Sequence, residues 1–255
     1  VYAAEFSDLT TRGTYRLMIN DVSSSSFSIS DNLYHSLSDS LLGFYKFQRC
    51  GSSRAPNFKP CHLHDATKII GLNRTLKAYD LTGGWHDAGD YVKFLNTTAI
   101  TVYYMLLAAQ RYTGYGDTVS LLKSRNILAE AKIGLDWLMK LHPDKKRLII
   151  QVQDIRDQDV GWRLPEEDPK VFNRPAFELP SKSHCGLFSA AFALAADVYK
   201  KSEDTKYANI CLKHARQVYR LAFQRIPNTA SNADSIYYDN SVWDNLALAS
   251  IELYR

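Results

Sequence analysis

Apolar residues recur with a helical period along most of this chain, but its start has a different rhythm. Thr14-Tyr15-Arg16-Leu17-Met18-Ile19 alternates and is rich in β-formers, which predicts a strand after the turn signal Thr11-Arg12-Gly13. Ser23 to Ser26 reads as a polar loop, and Phe27-Ser28-Ile29 as a second short strand. Two or three strands do not make a stable sheet alone. They must join a sheet outside this chain or pack on the helices after them.

From Asp31, a candidate N-cap, the spacing turns helical: Leu33, Leu37, Leu41 and Phe44 share one face. Cys50 to Gly84, with Pro56, Pro60 and Gly71, reads as irregular. Helices are expected over 97–112 and 121–141, the second with Leu128, Ala131, Leu135, Leu138 and Leu141 inward. A long polar stretch from Pro143 to Ser183 carries five prolines, and connections of that length are usually functional. Three further helices are marked by Leu187 to Val198, by Tyr207 to Leu221 and by Val242 to Leu253, with Asp204 and Asp239 as caps. The pattern is an all-α array of helical hairpins. It begins within a β region and stops inside a periodic helix, so both ends read as cut.

The 255 residues are 45% hydrophobic and 23% charged, a globular composition. The net charge of +4 comes from mixed signs, with no like-charge run for nucleic acid or a membrane surface. Apolar stretches such as Ala190 to Ala196 are too short to span a bilayer. No leader pattern opens the chain, which leaves location open. Sixteen Tyr and four Trp suit an aromatic-lined groove or a bulky core equally.

Asp87 and Asp90 flank Ala88-Gly89 directly after Gly83-Gly84. Two carboxylates so placed can converge on a water and deprotonate it, the general-base half of glycoside hydrolysis. Spacing alone favours a plainer reading, in which Asp90 caps a helix and Asp87 makes a turn. Cys50, Cys61, His62 and His86 offer two thiolates and two imidazoles, a set suited to structural zinc, with His64 as a substitute. Buried thiols or a Cys50–Cys61 disulfide are the rival readings. Cys185 and Cys211 fall on helix faces and read as inert core thiols. In the long loop Trp162 could stack on a sugar ring with Arg163 donating to hydroxyls, or could pin the loop. Asp157, Asp159, Glu166, Glu167 and Asp168 form either a calcium site or, more ordinarily, a solvated face.

Gly83-Gly84-Trp85-His86-Asp87-Ala88-Gly89-Asp90-Tyr91-Val92-Lys93-Phe94 closely resembles the signature of glycoside hydrolase family 9. Gln48-Arg49-Cys50-Gly51 and Cys61-His62-Leu63-His64-Asp65-Ala66 resemble segments of its subgroup with an N-terminal immunoglobulin-like domain, and Phe6 to Tyr15 looks like the last strands of that domain. The resemblance implies the N-terminal part of an (α/α)6 barrel over residues 31–255, after a remnant of a β-sandwich and linker over 1–30. It implies a secreted enzyme that cleaves β-1,4-glucosidic bonds of cellulose or related β-glucans with inversion. Asp90 matches the family's general base and Asp87 the aspartate that helps position the water. Cys50, Cys61, His62 and His86 match the zinc ligands of the subgroup. The family's general acid is a glutamate late in the catalytic domain. No residue here matches it, so the isolated chain is expected to have little activity. Asp157-Gln158 stands where some relatives carry an Asp-His pair for sugar contact. The alternative is a non-catalytic, zinc-braced carbohydrate-binding or structural protein.

Overall fold

A computed structural model describes residues 3, 5–31, 33–52, 54, 57–71, 74–77, 80–169, 173–224, 226–228, 237 and 241–255. The chain forms two compact units, Val1–Phe44 and Tyr45–Arg255. In the first, β1 (Gly13–Tyr15) pairs antiparallel with β4 (Phe27–Ile29), and β2 (Met18–Ile19) with β3 (Val22–Ser23). The single strand expected over 14–19 is therefore two, which pair into different two-stranded sheets. The Ser23–Ser26 stretch is only partly loop, since Ser23 closes β3. Phe6, Tyr15 and Phe27 cluster their rings over the β1–β4 pair.

Helix α1 (His35–Gln48) spans the division between the units. It starts later than expected because Asp31 does not cap it; the Asp31 carboxylate pairs with Arg12 instead. Its apolar face, Leu37, Leu41 and Phe44, is exposed rather than inward.

In the second unit α2 (Leu95–Tyr115) packs on α3 (Thr118–Leu141), and α4 (Lys182–Lys201) on both α5 (Thr205–Leu221) and α6 (Trp243–Tyr254). Helix α4 also packs on α2 and is apolar almost all round, as a helix enclosed by neighbours must be. Phe188, Phe192, Leu194 and Ala195 on it are fully buried. Helix α5 has the opposite character, burying one stripe, Tyr207, Cys211, Ala215, Val218 and Leu221. Asp117 caps α3 through the Ser120 amide, and Ser181 with His184 forms a capping box on α4. Asp204 caps α5 as expected, its carboxylate accepting from the Tyr207 amide at 3.0 Å. Asp239, the cap expected for the last helix, lies outside the described residues, as does Pro56. The alternation of an enclosed helix with a one-sided partner is the layering of α-hairpins in an α/α barrel.

A small sheet departs from the all-α expectation. Strands β5 (Lys68–Gly71), β6 (Arg74–Lys77), β7 (Lys93–Phe94), β8 (Gln151–Val152) and β9 (Ala176–Glu178) run in the order β6-β5-β9-β8-β7. All pairs are antiparallel except β5 with β9. Each strand has two to four residues, too few for alternation to show in the sequence. The sheet gathers the two segments that read as irregular. Strand β7 leads straight into α2, so residues 83–92 sit on a fixed support. Among the described residues, no helix is long and apolar enough to cross a membrane.

Candidate active site and metal centre

The segment before β7 is held by buried polar groups. The Lys93 ammonium, fully buried, donates to the carbonyls of Leu81 at 3.0 Å and Gly83 at 2.8 Å, and pairs with Asp65 at 2.8 Å. The Trp137 indole N–H donates to the Leu81 carbonyl at 3.0 Å. Gly84 has φ of 73°, and a Cβ there would lie 2.7 Å from the Trp137 ring, so this position requires glycine twice over. Backbone bonds lace the next residues to the end of α1. The Cys50 amide donates to the Gly84 carbonyl at 2.8 Å, and the His86 amide to the Gln48 carbonyl at 2.9 Å. Isolated bridges join Arg49 to Trp85 and Gly51 to Cys61. Three distant stretches, 48–51, 61–62 and 84–86, thus become neighbours.

Their side chains converge. Cys50, Cys61, His62 and His86 are buried, and one ligand atom from each lies within 4.8 Å of the others. Cys50 Sγ is 3.8 Å from His62 Nδ1, Cys61 Sγ is 3.8 Å from His86 Nε2, and the two nitrogens are 3.1 Å apart. A tetrahedral ion with metal–sulfur bonds of about 2.3 Å and metal–nitrogen bonds of about 2.0–2.1 Å sets sulfur and nitrogen about 3.6 Å apart and two nitrogens about 3.3 Å apart. The spacings fit. Cys61 and His62 aim at one point although adjacent, because the chain turns sharply at His62, whose φ is 48°. Cys50 and Cys61 form no disulfide, as the metal reading requires and the disulfide reading does not. His64, the substitute ligand, is not in the cluster.

Charge supports the same occupant. Lys93, Arg163 and Arg174 balance Asp65, Asp157 and Asp168 around the cluster. A divalent cation on two thiolates and two neutral imidazoles adds no net charge to this balanced shell. Burial pushes the Cys50 thiol up, but the Cys61 hydrogen bond and the charges of Lys93 and His86 outweigh it and hold the thiol well below its ordinary range. Sharing that proton with Cys50 raises Cys61. Burial lowers His86. Burial also opposes charge on His62, but bonds to Asp168 and Cys50 raise it overall.

Asp87 and Asp90 follow directly. Asp90 does not cap α2, which begins at Leu95; its Oδ1 accepts from the Val92 amide at 3.1 Å and its Oδ2 from the Gln158 side-chain amide at 3.0 Å. Asp87 accepts from the Tyr237 hydroxyl, and the Tyr237 ring meets Phe94 edge-on at 4.9 Å. Burial and Asp87 together raise the Tyr237 hydroxyl well above its ordinary range, so it stays a donor. No periodicity or motif marked Tyr237. The Asp157-Gln158 departure was visible in the sequence, but not that its amide meets Asp90.

The long loop differs from the expected one. Trp162 is 84% exposed and pins nothing. Arg163, expected to meet sugar hydroxyls, faces inward: its guanidinium bonds Asp157 at 2.8 Å and Asp168 at 2.9 Å and lies over the Tyr91 ring at 4.6 Å. The acidic run makes no calcium site. Asp157 and Asp168 turn inward onto Arg163, Glu166 pairs with Arg54, and Asp159 and Glu167 are exposed. Among the described residues, Cys50, Cys61, His62 and His86 are the group that could hold a metal ion.

A helical-hairpin array with a carboxylate-bearing segment before α2 fits part of an (α/α)6 barrel. The comparisons agree, since the model of glycosyl hydrolase family 9 matches residues 34–255, and the chain belongs to that family. It is 30% identical over 236 residues to a cellodextrinase of Butyrivibrio fibrisolvens, covering 86% of this chain and 41% of the relative. It is 31% identical over 250 residues to endoglucanase D of Acetivibrio thermocellus, covering 91% and 39%. A metagenome-derived family 9 endoglucanase superposes with a TM-score of 0.77 at 26% identity, covering 98% of this chain and 48% of that one. The chain thus spans about two fifths of the length of these curated relatives.

Proposed function

We propose that this chain supplies the base side of an inverting glycoside hydrolase that cuts β-1,4-glucosidic bonds in cellulose or related β-glucans outside the cell. In this reading residues 31–255 are the N-terminal part of an (α/α)6 catalytic domain and 1–30 the end of an immunoglobulin-like domain with its linker. The observation that carries it is Asp90, buried at the head of α2, with both carboxylate oxygens oriented by N–H donors beside a second, Tyr-bonded carboxylate. Asp90 takes the proton of a water as that water attacks the anomeric carbon, and Asp87 helps to hold the water. The acid that protonates the leaving oxygen is assigned to a residue outside these 255, at the roughly 6.5–9.5 Å carboxyl separation that inversion needs. Trp162 is assigned to stacking on a sugar ring, and Arg163 to shaping the loop that presents it. The relatives named cellodextrinase and endoglucanase supply the substrate class.

Cys50, Cys61, His62 and His86 are assigned to one structural zinc. All four positions would be filled by protein, which leaves none for water or sugar. The ion would fix the backbone at His86 and so the direction of the neighbouring Asp87. The test is the anomer released first when the full-length protein cleaves a soluble cello-oligosaccharide, followed by proton NMR. The α-anomer supports inversion. The β-anomer overturns the base assignment, and no cleavage turns the reading toward a carbohydrate-binding protein.

A further inference from the structure

The loop from Asp154 to Asp168 is held to the body by a few polar anchors, and one of them touches the metal cluster. His62 presents Nδ1 to the cluster, and its Nε2 lies 2.9 Å from Asp168 Oδ2. Both side chains have no exposed surface. The other Asp168 oxygen accepts from Arg163 Nε at 2.9 Å. Arg163 then reaches Asp157 at 2.8 and 2.9 Å. Asp157, fully buried, accepts from the Tyr91 amide at 2.8 Å, one residue past Asp90. The next residue, Gln158, donates to Asp90. An unbroken chain of bonds therefore runs from the cluster through the loop to the carboxylate proposed as base. Arg174 lies 3.8 Å from Asp168 and adds to its anchoring.

We propose that Asp168 is a positioning residue that couples occupancy of the Cys50–Cys61–His62–His86 centre to the order of the 154–168 loop, and through it to Gln158 and Asp90. The inference rests on the metal reading above. A metal on His62 Nδ1 needs that nitrogen's lone pair, which fixes the ring proton on Nε2, where Asp168 accepts it. Such outer-sphere carboxylates orient a ligand imidazole and raise its basicity, and losing one typically costs about 10–100-fold in metal affinity. Here the same carboxylate also holds the loop's hub, Arg163. The loop has little apolar packing of its own: Arg156, Gln158, Asp159, Gly161 and Trp162 are exposed. Coupling is reciprocal, so an ion that orders the loop is in turn held more tightly by an ordered loop.

The test uses the full-length protein, with zinc affinity read by chelator competition and loop order by hydrogen exchange. For wild type, stripping zinc is expected to speed exchange across 154–168 more than across α4. Asp168→Asn keeps the shape of the side chain and removes its charge. It is expected to weaken zinc binding about 10–100-fold and to leave the loop fast-exchanging even when zinc is saturating. Glu166→Gln, in the same loop but paired with Arg54, is expected to keep wild-type zinc affinity. A purely structural Asp168 would loosen the loop without moving zinc affinity, and that result overturns the proposal. So does a zinc-loaded wild type whose loop exchange matches the stripped form, which decides the matter even if Asp168→Asn fails to fold. A wild type that takes up no zinc removes the metal reading and this inference together.

Discussion

Gly134 lies in the middle of α3, where alanine should ordinarily help. Replacing an interior helical glycine by alanine gains about 0.8–1 kcal/mol of helix propensity. Here the space is taken. A Cβ on Gly134 would lie 2.4 and 2.6 Å from Trp85 Cζ3 and Cη2, and 2.6 Å from Val102 Cγ2. Unstrained carbon contacts are about 3.5–4.0 Å, so a neighbour must move by about 1 Å. Trp85 has little freedom, because its indole N–H donates to buried Glu130 at 3.0 Å, its backbone bridges Arg49, and Tyr45 packs on its ring. Val102 is fully buried on α2. Overpacking costs about 1–3 kcal/mol, and two such contacts on restrained partners place this site in the upper part of that range. Gly134→Ala is therefore expected to lose about 1–2 kcal/mol net. At about 2–4 °C per kcal/mol for a domain of this size, the melting temperature falls by about 2–8 °C. Gly114→Ala is the control, since a Cβ there meets nothing within 4 Å and α2 gains propensity. The assay is thermal denaturation followed by circular dichroism at fixed zinc. A Gly134→Ala protein that melts at or above wild type would refute the close packing of Trp85 and Val102 on α3 at Gly134.

Two further outcomes are expected. Cys50→Ser should reduce bound zinc from one per chain to near none by elemental analysis, and should melt where chelator-treated wild type melts, because the ion's binding energy contributes to folding; a chelator that leaves wild-type melting unchanged contradicts this. His142, packed on Phe188 and beside His214, is pushed down to about 4 by burial, with the His214 and Lys213 charges adding and Asp144 opposing. The unfolded chain then takes up a proton on this histidine at higher pH than the folded one. Its contribution to stability is fully present above about pH 6.5 and is lost as pH falls toward about 4. His142→Phe keeps a ring on Phe188 and should flatten that part of the urea-denaturation profile; parallel profiles for the two proteins speak against it.

Helices α2 to α6 were legible because each buries apolar residues at helical spacing, so periodicity survives tertiary packing. Helix α1 shows the limit of that signal: Leu37, Leu41 and Phe44 share a face, but a face is not evidence of a partner, and it is exposed. The sheet was not legible, since β7 and β8 have two residues each and draw their pairing from segments far apart in the chain. Among site residues, ligand chemistry gave the Cys/His set from residue types alone, while spacing left Asp87 and Asp90 as an ordinary turn and cap. Arg163 escaped local reading because its sequence neighbours say nothing of Asp168 closing on it from across the loop. Tyr237 and the Gln158 contact are products of tertiary structure with no local signature.

The central claim is that Asp90 activates the attacking water while the Cys/His centre only braces its segment. The most direct measurement is kcat of Asp90→Ala in the full-length protein on a soluble β-1,4-glucan, with zinc content determined on the same sample. General-base assistance contributes about 10²–10⁴-fold. The account predicts a loss of that size with zinc still bound at one per chain. Turnover within a few-fold of wild type would contradict it and return Asp90 to the role of a turn residue.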